Sequence, residues 1–278
     1  MSLTVEQVKG RIRSLASKDN ADARVLLRMY MMERFLERVS HSKYADKFII
    51  KGGILVTSMV GVALRSTMDI DTSIRNQNLS EEDALKMVED ISKIDLHDGV
   101  TFIVKEASSI MDDMEYPGIR LAMNASLESM VVPMKIDIST GDIITPSAIQ
   151  YSYKLMLEDR SIEVMAYNLE TILAEKLQTV LSRGILNTRM RDYYDIHVLL
   201  SVYQDKIDQN IMKEAFHETC RKRDTVELKE NGKEILDTLR NDDNLKKLWN
   251  SYQKKYEYAR DCNFDEVVND IESLLNYI

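Results

Sequence analysis

The stretch Lys47-Phe48-Ile49-Ile50-Lys51-Gly52-Gly53-Ile54, followed a little further on by Arg65-Ser66-Thr67-Met68-Asp69-Ile70-Asp71, decides how this chain is read. The apolar run ending at Ile50 has strand character and Ile54 to Val60 has helix character, so Gly52-Gly53 falls at the turn between them. A helix start leaves backbone N–H groups unpaired and carries the positive end of the dipole, and glycine lets an anion approach the backbone closely. Asp69 and Asp71 are interleaved with apolar Met68 and Ile70, so on a strand both carboxylates project from one face.

A phosphate cradle followed by two hard oxygen ligands suits Mg²⁺, which takes one or two carboxylates together with substrate phosphates. Either half alone is commonplace: a glycine pair is most often a tight turn, and an Asp-x-Asp is most often a solvated strand end. Their order, with Arg65 and Thr67 between them, is what points to the handling of a nucleotide.

Working outward, residues 4–40 carry apolar side chains at helical spacing and break into two helices near Lys18-Asp19-Asn20-Ala21-Asp22. Ser80, with Asp83 three residues on, starts a helix that runs to about Ile94. Three strands follow, near 100–107, 118–127 and 131–139, turned at Tyr116-Pro117-Gly118 and Glu128-Ser129-Met130. Short connections of this kind make antiparallel neighbours. The third strand presents Lys135, Asp137 and Ser139 on one side and Ile136 and Ile138 on the other. From the residues alone, Asp137 reads equally as a carboxylate of a site and as a charge on a wet face.

Short strands at 151–155 and 161–166 precede a run that is helical to the end: 169–181 with Asn168 as its N-cap, a helix from about Thr188, then 209–221, 226–240, 243–259 and 264–276. The fold class is α+β, a mixed sheet with flanking helices followed by a C-terminal helical bundle. The two expected domains are 1–167 and 168–278.

The composition fits this scheme. The 278 residues include only three prolines and nine glycines, which leaves helices uninterrupted. A net charge of −9 does not announce a nucleic-acid binder, although a local basic surface is compatible with an acidic exterior. Cys220 and Cys262 form no disulfide framework and no zinc spacing. Met1-Ser2-Leu3-Thr4 opens no export signal, and no apolar run is long enough to span a bilayer, so a cytoplasmic protein without membrane contact is expected.

Four blocks, Lys51-Gly52-Gly53, Arg65 to Asp71, Ala174-Glu175-Lys176-Leu177 and Arg189 to Asp195, resemble the AbiEii/AbiGii-type nucleotidyltransferase toxins of the DNA polymerase β-like superfamily. The resemblance covers most of residues 45–200. It implies a nucleotidyltransferase-like sheet and transfer of a nucleoside monophosphate from an NTP, with release of pyrophosphate, at a two-Mg²⁺ site. Asp69 and Asp71 match the metal-holding pair, and Asp137 the third carboxylate, with Asp142 as the alternative. Lys176 and Asp192 match a lysine and an acid supplied by the helical half. Lys51, Gly52, Gly53, Arg65 and Thr67 stand where the triphosphate is held.

Read without the resemblance, Lys176 is a solvated helix lysine and Asp192 an ion-pair partner of Arg189 or Arg191. The chain departs from many nucleotidyltransferases in lacking the serine of a Gly-Ser cradle, with Ile54 following Gly53. By the same resemblance, the acceptor is an RNA, above all tRNA, or a protein, and an antitoxin is the cognate partner. A small-molecule (aminoglycoside-type) acceptor and a catalytically inactive nucleotide-binding regulatory module stay open as alternatives.

Overall fold

The protein is described from a computed structural model covering residues 3–75, 79–110 and 118–278. Tyr116 and Pro117 of the expected turn lie outside the described residues. Helices α1 (Val5–Lys18) and α2 (Ala23–Ser40) lead into strand β1 (Phe48–Lys51), helix α3 (Gly52–Val60), strand β2 (Ile70–Ile74) and helix α4 (Glu81–Ser92). Strands β3 (Val100–Ile110), β4 (Gly118–Leu127), β5 (Met130–Thr140), β6 (Ile149–Lys154) and β7 (Ser161–Ala166) follow. Helices α5 (Leu169–Arg183), α6 (Met190–Tyr203), α7 (Gln209–Lys222), α8 (Leu228–Asn241), α9 (Asp243–Lys255) and α10 (Phe264–Leu275) complete the chain.

The chain divides into two compact units. Unit 1 is Met1–Asp142 with Ile149–Ala166, and unit 2 is Ile143–Ala148 with Tyr167–Ile278. In unit 1 the seven strands form one mixed sheet in the order β3-β4-β5-β2-β1-β7-β6. The meander β3-β4-β5 is antiparallel, β2 runs parallel to β5 and antiparallel to β1, and β1 runs parallel to β7. Helix α2 packs on β5 and β7, and Ile136 and Ile138 are buried with 0% and 1% exposure. Phe35 of α2 meets Phe48 and Phe102 with ring centroids 6.2 and 5.6 Å apart.

The strand reading of the Asp-x-Asp holds for Asp71 alone. Strand β2 starts at Ile70, so Asp69 lies in the bend before it. On the β1 side the ladder stops one residue later still: Lys51 is paired with Asp71, and Gly52, at φ +59°, then turns the chain into α3.

Unit 2 is built of helices. Asn168 caps α5 by accepting from Thr171 N at 2.8 Å, and its own Nδ2 donates to the Thr145 carbonyl at 2.7 Å, which fastens residues 143–148 to this unit. The helix expected over 243–259 is broken. Helix α9 ends at Lys255, Tyr256 is extended, and a 3₁₀ turn covers Glu257–Ala259. Helical propensity yields here to ring packing: Tyr256 lies 4.7 Å from Tyr252 and 5.3 Å from Tyr258, centroid to centroid.

Candidate active site

Strand register assembles the site in unit 1. The β4–β5 hairpin pairs Leu127 with Met130, and counting outward sets Arg120 opposite Asp137. The parallel pairing of β5 with β2 sets Asp137 beside Asp71, and β1 sets Lys51 beside Asp71. Four neighbouring strands therefore carry a row of charge in the order Arg120, Asp137, Asp71, Lys51, with Asp69 at its end of β2.

Each side chain in the row has a definite partner. Arg120 donates to both oxygens of Asp137, from Nε at 2.8 Å and Nη2 at 2.7 Å. Lys51 donates from Nζ to Asp142 at 2.7 Å, and the Ser139 hydroxyl donates to the same carboxylate oxygen at 2.5 Å. Burial pushes the Asp142 carboxyl up, but the Lys51 ammonium and the hydroxyl more than offset it and hold it well below the usual carboxylate range.

Asp71 Oδ2 accepts from Gly53 N at 3.1 Å, so a carboxylate occupies the anion position at the start of α3. The glycines are required there. A Cβ on Gly52 would run into the Asp71 carboxylate, and one on Gly53 would stand 2.6 Å from the Thr67 hydroxyl and 3.0 Å from an Arg65 nitrogen. Arg65 and Thr67 thus line the glycine turn, buried at 1% and 3% exposure, and the Thr67 hydroxyl reaches the Asp69 carbonyl at 3.4 Å.

The electrostatics of the corner are those of buried carboxylates that neighbouring cations only partly offset. Burial raises both Asp69 and Asp71 above the ordinary carboxyl value, and the Asp137 charge raises each further. The Gly53 N–H opposes the shift at Asp71, while Lys135, Arg120 and Arg28 oppose it at Asp69.

Among the described residues no three His, Cys, Asp or Glu side chains are already gathered as a metal cage, and Asp137 is turned to Arg120. The donor set nevertheless fits a hard divalent cation. It consists of carboxylate oxygens, and Asp71 is oriented through one oxygen by a backbone N–H.

A second cluster lies wholly within unit 2. Lys176 on α5 donates to Asp192 at 3.0 Å and to Asp195 at 2.6 Å, and Asp192 also accepts from Arg189 Nε at 2.7 Å. The i, i+3 spacing puts both aspartates on one face of α6. Lys176, Asp192 and Asp195 are 9%, 4% and 0% exposed, so a solvated helix lysine does not describe this site. Burial raises the Asp192 carboxyl, and Lys176 and Arg189 outweigh it to hold the group below its ordinary value.

Three features escaped the sequence reading. The Arg120 clasp on Asp137 was recoverable, because both residues lie equally far from the Glu128-Ser129 turn. That Asp195 is a partner of Lys176 required the packing of α5 on α6, which no local pattern encodes. The pair of His197 Nδ1 with Asp270 at 2.5 Å, which raises the imidazole to about 10 with help from Cys262, joins helices far apart in sequence.

Residues 34–270 match the family described as Nucleotidyl transferase AbiEii toxin, Type IV TA system. A candidate nucleotidyltransferase from H. pylori has a solved structure similar over 92% of this chain and 94% of its own, with 15% identity and a TM-score of 0.50. JHP933 from Helicobacter pylori aligns over 92% of this chain and 91% of its own, with 15% identity and a TM-score of 0.49. No curated protein matches the chain. At such identity the first of these structures speaks for the fold, a mixed sheet with flanking helices, while the family match spans most of the sequence. The chain accordingly belongs to the AbiEii family of nucleotidyltransferase toxins of type IV toxin–antitoxin systems.

Proposed function

We propose that the protein transfers a nucleoside monophosphate from an NTP to an RNA, above all tRNA, or to a protein acceptor, in a Mg²⁺-dependent reaction, and that a cognate antitoxin restrains it. The observation that carries this reading is the placing of Asp71 and Asp137 on adjacent strands, with Asp69 beside them, against a glycine-built helix start. Mg²⁺ bound by these carboxylates supplies Lewis-acid stabilisation of the attacking and leaving oxygens.

Asp69 and Asp71 would hold the metal. Asp137, clasped by Arg120 in this structure, would be the third carboxylate of that site and would orient or deprotonate the acceptor hydroxyl. The Gly52-Gly53 turn receives the triphosphate through the N–H groups of the first turn of α3 other than Gly53 N, which Asp71 holds, and the buried Thr67 hydroxyl stands in for the serine that the cradle lacks. Lys51 and Arg65 brace the turn. Lys176, aimed by Asp192, is the catalytic lysine of its own unit.

The test is incubation of purified protein with Mg²⁺ and each labelled NTP in turn, with total tRNA, lysate protein and aminoglycosides as acceptors. Label on RNA or protein that vanishes in Asp69→Ala and on removal of Mg²⁺ is expected. Label on the small molecules alone replaces the acceptor class, and no transfer to any acceptor overturns the reading.

A further inference from the structure

A polyanion meets a chain of net charge −9 only where cations are locally concentrated. Residues 244–260 are such a place, with Lys246, Lys247, Lys254, Lys255 and Arg260 against the single acid Glu257. Glu257 is itself bound by Arg260. Acids at Asp242, Asp243 and Asp261 bound the island on both sides and confine it.

Within the island the aromatic rings are ordered. Trp249 stacks on Tyr252 at 5.5 Å and 26°, Tyr252 meets Tyr256 at 4.7 Å, and Tyr256 stacks on Tyr258 at 5.3 Å and 24°. The ladder starts in the core, with Trp249 at 1% exposure, and emerges at the half-exposed Tyr256 and Tyr258.

Two cations converge on its outer end. The Lys255 ammonium lies 5.3 Å and the Arg191 guanidinium 5.6 Å from the Tyr256 ring centre, and Arg191 donates to the Tyr256 hydroxyl at 3.0 Å. Burial raises the Tyr256 phenol, but Arg191 and Lys255 bring it below its ordinary value. Arg191 lies in the first turn of α6, the helix that also carries Asp192 and Asp195.

We propose that the Arg191–Lys255–Tyr256–Tyr258 cluster docks a single-stranded segment of an acceptor RNA, a base extending the tyrosine ladder and the two cations meeting the flanking phosphates. This rests on the nucleotidyl-transfer reading above. Flat rings accept any base without reading sequence, and cations beside them hold the backbone. An acidic protein segment would find the cations but would make no use of the ring ladder.

The test is fluorescence anisotropy of a labelled single-stranded oligoribonucleotide with the full chain, at several salt concentrations. Lys255→Glu is expected to weaken binding about 10-fold and to flatten the salt dependence by roughly one charge. Tyr256→Leu is expected to weaken it by about 5- to 100-fold, whereas Tyr256→Phe, which keeps the ring, stays within about 2-fold. Unchanged binding in both Lys255→Glu and Tyr256→Leu overturns the docking surface.

RNA labelling with the same KM in both variants also overturns it, and leaves the proposed function standing. Oligonucleotide binding that both variants weaken, without RNA labelling by the wild type, supports the surface and sinks the acceptor. Protein labelling that Lys255→Glu reduces and Tyr256→Leu does not overturns RNA as the occupant.

Discussion

Along α2, Arg34 reaches Glu37 at 2.9 Å and Glu158 at 3.0 Å, Arg38 reaches Asp98 at 2.7 Å, and Arg160 reaches Glu37 at 2.6 Å. At the Asp69–Asp71–Asp137 corner of the same unit, carboxylate lies beside carboxylate, and both Asp69 and Asp71 are shifted upward. Both regions hold ionisable groups away from water, where an uncompensated charge is costly. Glu33 apart, the α2 region answers with opposite charges and lashes the helix to the ends of β3 and β7. The corner leaves the cost standing in the folded chain, as sites that await a charged ligand do.

The contrast can be broken most decisively at Asp71. Asp71→Asn is expected to lower nucleotide transfer by about 10³-fold or more, while the melting temperature holds or rises because one repelling charge is gone. Transfer within tenfold of wild type, or a marked fall in melting temperature, would make the corner structural like α2.

In the α2 region the expectation is inverted. Arg38→Ala leaves Asp98 buried and unpaired and should cost about 3–5 kcal/mol in denaturant unfolding, with transfer per folded molecule unchanged. A change in activity at preserved stability would erase the distinction.

A smaller effect sharpens it. Burial pushes Glu33 up to about 8 from an ordinary value of 4.5, while Arg34 pulls it down. Such a group is protonated when folded and ionised when unfolded between those two values. Its contribution to stability is therefore complete below about 4.5 and declines as pH rises through about 8. Glu33→Gln removes the decline, with a gain at pH 9 on the order of 1–3 kcal/mol, read by melting wild type and variant from pH 5 to 9. Parallel pH profiles would show that Glu33 is ionised in the fold.

Much of the fold was legible because local chemistry marks it. Ser80, Asn168 and the alternation Lys135 to Ser139 each specify an element without reference to distant residues, and α4, α5 and β5 form there. Pairing between remote segments leaves no such mark. The parallel contacts of β2 with β5 and of β1 with β7 join segments whose sequences carry no shared signal. The start of β2 at Ile70 depended on its pairing with the remote β5, and the break at Tyr256 on a ring ladder that includes Tyr258, beyond the helix. In the site, the carboxylates announced themselves by type and spacing, whereas Arg120 is visible only once hairpin register is counted.

Residues 143–148, assigned to the helical unit while the strands on either side belong to the sheet, have a consequence for synthesis. A chain leaving the ribosome delivers β1 early, yet β1 obtains its β7 neighbour only when residue 166 emerges. By then Thr145 is already out, waiting for Asn168 and Thr171 of a helix not yet made. No single stop codon separates the units cleanly. A product ending at residue 142 lacks β6 and β7, and one ending at 166 carries a six-residue segment whose partners were never translated. Such interleaving ties each unit's completion to translation of the other.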